Sequence, residues 1–159
     1  MGSKAEMNDD TPGVLIFPPI LFGGTLLLGV LLHWLFPIRL MPVVPARVLG
    51  VVAFVLAGVI AHLAQKALER AGTNVRPDQP TTSLVTSGPY AVVRNPLYVA
   101  ALCLYIGIAL FVDGVALFVL LIPLMIVLHW GIVLREERYL ESKFGDDYRA
   151  YRSQVRRWL

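Results

Sequence analysis

Two clusters of polar residues in this 159-residue chain have types and spacing that can do chemistry. The first is Tyr90, Arg94, Asn95, Pro96 and Tyr98; the second is the adjacent pair Glu136-Glu137, with Tyr148 and Tyr151 further on. An Arg guanidinium grips a carboxylate or phosphate through two parallel N–H bonds. Carboxylates accept from cations, amines and hydroxyls, or fix an arginine in place. Phenols beside them can line a flat ring system or close a site. Asn95 and Pro96 also read as the cap and first residue of a helix. Arg94 then sits badly, because a cation just before a helix start meets the positive end of its dipole. An anionic group held between Arg94 and the free helix N–H groups removes that conflict. Glu136 and Glu137 read in two ways: as partners of Arg94, Arg135 or Arg138, or as binders of a cationic or hydroxyl-bearing ligand. His129 lies on the face of a regular helix that also carries Glu136, and reads as a packing residue beside Trp130 or as a member of the site.

The elements that must position these residues belong to a membrane protein. Apolar residues are 57%, charged residues 16% and mean hydropathy is +0.67, against about 45–50% apolar and about 25% charged in ordinary soluble domains. Asp, Glu, Lys and Arg are absent from 11–38, 48–64, 95–112 and 114–134. About 17–20 helical residues cross a bilayer core of ~30 Å. The expected fold is therefore all-α, a single domain over 1–159, with four transmembrane helices near 14–36, 46–68, 97–112 and 114–134. Pro18 and Pro19 are expected to shorten or kink the first. Only Val112-Asp113-Gly114 separates the last two, which predicts a tight antiparallel hairpin. Gly23, Gly24, Gly29, Gly50 and Gly58 suit close helix approach. The lone cysteine, Cys103, excludes an internal disulfide and a Cys-based zinc site, and no metal is expected.

Orientation follows from the basic residues. All Lys and Arg except Arg39 and Arg47 fall in the N-terminus, the loop near 65–96 and the tail, so both termini are expected on the cytoplasmic side. The tail, 135–159, reads as helix continuing from the fourth span, stopping at Gly145 and restarting at Asp146-Asp147. Tyr148, Tyr151 and Val155 form a stripe in that second piece, which with Trp158 suits a helix lying on the membrane surface.

Together the spacings Gly88-Pro89-Tyr90, Arg94-Asn95-Pro96-Leu97-Tyr98 and Glu136-Glu137 followed by Leu140, Phe144-Gly145, Tyr148, Tyr151 and Val155 resemble the isoprenylcysteine carboxyl methyltransferase family, a relative of the phospholipid N-methyltransferases. The resemblance covers about 86–157. It implies a membrane-embedded methyltransferase using S-adenosyl-L-methionine, with 86–157 as the cofactor-binding and catalytic half. It implies catalytic roles for Arg94, Glu137 and Asn95. Cofactor contacts would come from Tyr90, Arg94, Pro96, Tyr98, His129, Glu136, Glu137, Tyr148 and Tyr151. The eukaryotic members carry His at Asn95, and Asn cannot titrate as a base; bacterial relatives with Asn suggest a prokaryotic member in the inner (plasma) membrane. The expected partner is a lipophilic small molecule or lipid within the membrane, isoprenylcysteine-carboxylate-like or, alternatively, a phospholipid amine or small thiol. No nucleic acid is expected, no glycine-rich dinucleotide fingerprint follows a strand, and the oligomeric state stays open. A non-catalytic multispan protein is the alternative of another class. It predicts ionisable residues along a pathway, whereas the spans offer only His33, His62 and His129, each near a helix end.

Overall fold

The computed structural model describes residues 11–73 and 80–159. Lys4 and Arg76, counted above among the cytoplasmic charges, lie outside the described residues. Among those described there is no strand, only a parallel bridge between Val93 and Arg156. Five α-helices carry the fold: α1 (Pro18–Leu35), α2 (Val43–Arg70), α3 (Pro96–Val112), α4 (Val115–Ile126) and α5 (Leu134–Gln154). A wide π-helical segment, Val127–Val133, joins α4 to α5 without a break, and a short 3-10 turn, Gly88–Ala91, precedes α3. Three helices are long and apolar enough to cross a membrane: α1, α2 and the continuous α4–α5 rod; α3 is apolar and 17 residues long. Charges are absent from the rod up to Leu134, so we take its membrane-spanning part to end there and α5 to stand outside.

Helix boundaries follow proline chemistry. α1 starts at Pro18 and not near Val14, because a residue before proline is driven out of the helical region, and Phe17 is extended at φ −63°, ψ 122°. The freed segment runs across the molecule, and Leu15 donates its N–H to the Gly131 carbonyl at 3.1 Å. α2 starts earlier than expected, at Val43, since Pro45 in a first turn lacks only an N–H that would be unpaired anyway.

The Val112–Gly114 turn is as tight as expected, with Asp113 in the left-handed region at φ 56°, ψ 42°. The two helices it joins nevertheless do not lie along each other. α3 packs along α2, α4 packs against α1, and α3 meets α4 only sparsely. Close backbone approach decides this pairing. A Cβ on Gly50 would lie 3.0 Å from the Gly107 carbonyl oxygen and 3.2 Å from the Phe111 nitrogen, so α2 and α3 can touch only without it. Gly29 likewise admits Leu117 of α4, whereas Gly23, Gly24 and Gly58 have open space around them. The main buried cluster forms where the pairs meet, around Tyr105, Leu117, Leu124, Leu128 and Ile132. Tyr105 satisfies its hydroxyl there by donating to the Leu117 carbonyl at 2.9 Å.

In the tail, Gly145 interrupts α5 at φ 53°, ψ −121°, a conformation open essentially to glycine, and the helix resumes beyond it. The second piece does not present its aromatic stripe outward as expected. Tyr148 and Tyr151 are buried in the protein, and Trp158 packs against the main cluster. These aromatic faces find protein to cover them, and the bend at Gly145 turns them toward it.

Candidate functional site

Where the α1 and α2 ends, the start of α3 and the start of α5 converge, they enclose a cavity of 510 Å³. Its walls are largely apolar, supplied by Phe17, Phe22, Leu68, Val85, Leu97, Ala101, Leu104 and Leu140. Its polar groups are Tyr90, Arg94, Asn95, Tyr98, Glu136 and Tyr139, together with Thr73, Thr81, Ser83 and Tyr151. The segment 80–83 is stitched to the end of α2: Thr82 donates to the Gly72 carbonyl at 2.9 Å and Ser83 to that of Ala71 at 2.8 Å.

The two adjacent carboxylates divide the work. Glu136 lines the cavity and accepts from the Tyr98 hydroxyl at 2.6 Å. Burial pushes its pKa from 4.5 up to about 7; the Tyr98 hydrogen bond pulls it down and the neighbouring Glu137 charge pushes it further up. Glu137 points elsewhere. Arg157 donates to both its oxygens, Nε to Oε1 and Nη2 to Oε2, each at 2.8 Å. Arg94 approaches the same carboxylate at 3.4 Å through Nη2, with both side chains over nine-tenths buried. This pairing answers the dipole conflict at the start of α3. It leaves the Arg94 Nε and Nη1 and the Tyr148 hydroxyl buried without a well-formed hydrogen bond, the phenol lying beside the guanidinium. Buried charged donors seldom stay unpaired, so Arg94 retains N–H groups suited to an anion or another acceptor.

The phenols around this centre stay protonated. Burial lifts Tyr90 well above its ordinary pKa, with Tyr151 and Glu136 adding to the effect. Burial and Glu137 push Tyr148 up to about 12 against the opposing charge of Arg94. Tyr151 donates to the Tyr90 carbonyl at 2.7 Å, which ties the tail to the turn before α3.

Of the residues the sequence singled out, Tyr90, Arg94, Asn95, Pro96, Tyr98, Glu136 and Tyr151 line the cavity. Glu137 and Tyr148 stand behind Arg94. Asn95 occupies the cap position of α3 but makes no capping bond; its Nδ2 donates instead to the Arg157 carbonyl at 3.3 Å. His129 does not line the cavity and stacks edge-on against Trp130, ring centroids 4.8 Å apart. The reason is the π-helical segment between it and Glu136: its wider turns rotate the two residues off the shared face that a regular helix would give. Sequence reasoning missed Arg157, and missed the walls from 12–22, 68–73 and 81–85. A contact between segments far apart in the chain leaves no spacing signal. The one available hint was an Arg directly before Trp158 in a tail otherwise read as lying on the membrane surface.

Residues 45–147 match the phospholipid methyltransferase family. The match takes in α2 as well as α3, α4 and the Glu136-Glu137 pair. An uncharacterized protein of Haemophilus influenzae is 57% identical over 35 residues, which is 22% of this chain and 56% of that relative. The chain thus spans little more than half the length of that relative. No solved structure matches. With its family match running through the polar centre just described and over most of its length, the chain belongs to the phospholipid methyltransferase family.

Proposed function

We propose that this protein is a membrane-embedded, S-adenosylmethionine-dependent methyltransferase acting on a lipophilic acceptor. The observation that carries this reading is the buried Arg94, whose Nε and Nη1 lack partners beside a largely apolar cavity. Such an N–H group can donate to the carboxylate of the cofactor's methionine moiety. Tyr90 and Tyr98 offer aromatic surface for the adenosine, and Glu136 offers a carboxylate to its amino or hydroxyl groups. When bound, S-adenosylmethionine supplies a methyl group on a sulfonium sulfur. The chain's own contribution is positioning and water exclusion. The apolar wall of Leu97, Ala101 and Leu104 is supplied by the apolar helix α3 and suits a hydrocarbon acceptor.

Glu136 favours one class of acceptor. An isoprenylcysteine-like carboxylate would meet a second negative charge there. A phospholipid amine arrives protonated and must lose a proton before it can attack, and a carboxylate with a pKa of about 7 can take it. A small thiol would make the same use of it.

Calorimetry with S-adenosylmethionine in nanodiscs tests the cofactor reading. Wild-type protein should bind, and Arg94→Ala should weaken binding by at least about 30-fold, the cost of losing a buried charged partner. No binding by the wild type sinks the proposal. Labelled methyl transfer against lipid amines, prenylcysteines and small thiols then identifies the acceptor.

A further inference from the structure

The geometry points to Arg157 as the positioning residue that keeps two Arg94 N–H groups open for an anion. Glu137 sits between two guanidinium groups and does not treat them equally. Arg157 takes both carboxylate oxygens at 2.8 Å, while Arg94 holds one, at 3.4 Å. A carboxylate has room for one bidentate guanidinium partner. Because Arg157 fills that role, Arg94 is anchored through Nη2 and keeps Nε and Nη1 unpaired. Without Arg157, Glu137 would be a buried carboxylate with Arg94 as its remaining guanidinium partner, and would draw a further Arg94 N–H group to itself. While Glu136 holds its proton, the two arginines with Glu137 also leave a net positive charge at the site, which an anion neutralises.

The backbone places Arg157 for this task. The Arg94 N–H donates to the Arg156 carbonyl at 2.8 Å, within the Val93–Arg156 bridge. Asn95 donates to the carbonyl of Arg157 itself, and Trp158 is pinned against the main cluster. Residues 156–158 thus form a strap across the turn that carries Arg94.

The inference rests on the cofactor reading above, with the methionine carboxylate as the anion on Arg94. Its test compares calorimetric binding of S-adenosylmethionine with that of decarboxylated S-adenosylmethionine, which lacks the group Arg94 would hold. Wild-type protein should prefer the carboxylated ligand. Arg157→Gln should cut that preference on the order of tenfold while leaving affinity for the decarboxylated ligand unchanged. Arg157→Lys, which supplies charge but no fork, should keep part of it. Glu137→Gln combined with Arg157→Gln should recover it, because the competing carboxylate is gone. A structural role alone would lower both affinities together, and that result, or an unchanged preference, overturns the inference. Should Arg157→Gln fail to fold, the Lys variant carries the same comparison. A wild type that binds neither ligand overturns the cofactor reading, and this inference with it. A wild type that binds both equally overturns the inference and the placing of the methionine carboxylate on Arg94, while use of the cofactor itself stands.

Discussion

A carboxylate facing an apolar cavity beside a phenol titrates late, and Glu136 does so near pH 7. Folding raises its pKa above the ordinary 4.5, so the folded protein keeps a proton that the unfolded chain releases. Its contribution to stability is full below 4.5 and is lost as pH rises through 7. Glu136→Gln should therefore flatten the fall in thermal midpoint between pH 5 and pH 8, read by thermal melts in detergent; a wild-type slope would show that another group titrates there. The same substitution should remove any rise in methyl transfer across pH 7 that depends on the charged form. Glu136 and Glu137 are chemically alike and adjacent, yet one faces the cavity with a phenol and the other is clamped by arginines. Their roles differ because of what surrounds them.

Elements set the aim of these side chains through a few backbone irregularities. Gly145 holds a conformation that a Cβ opposes, although no neighbouring atom lies within 4 Å of the space it would fill. The cost of Gly145→Ala is thus backbone strain, about 1–3 kcal/mol. It should lower the thermal midpoint and weaken S-adenosylmethionine binding, since the bend carries Tyr148 and Tyr151 to Arg94 and Tyr90. A melt unchanged from wild type would refute this. At the other end of the helices, Asp113 caps the molecule. Its Oδ1 accepts from the Leu40 N–H at 3.0 Å and the Met41 N–H at 3.1 Å, binding the α1–α2 connection to the α3–α4 turn. Asp113→Ala should cost about 1–3 kcal/mol and leave cofactor affinity as it was, because the cavity lies at the opposite end of α3. A parallel loss of affinity would mean that the two ends are coupled. The π-helical segment belongs to the same scale: it rotates the start of α5 so that Glu136, not His129, reaches the cavity.

At the scale of the molecule, two glycine-mediated helix pairs, α2 with α3 and α1 with α4, leave the cavity between their ends. The cavity, Arg94 and the strap at 156–158 share the end where nearly all described charges lie. With four spans, the distribution of Lys and Arg predicts that this end faces the cytoplasm. A fusion at Leu159 should then give signal from a reporter active in the cytoplasm, and none from one active only outside; the reverse result would invert the molecule. Much of this was legible without coordinates. Charge gaps announced apolar helices, Gly145 announced the bend, and the spacing of Tyr90, Arg94 and Tyr98 against Glu136 and Glu137 announced the polar centre. Those signals are local, being set by periodicity, proline and glycine chemistry, and the cost of charge in hydrocarbon. Tertiary structure alone decided which helix lies against which, how the two carboxylates share their partners, that the residues around Phe17 and Phe22 wall the cavity, and that Arg157 returns to Arg94. Each of these is a contact between segments far apart in the chain. A periodic pattern tells which face of a helix is apolar, but only packing tells what covers it.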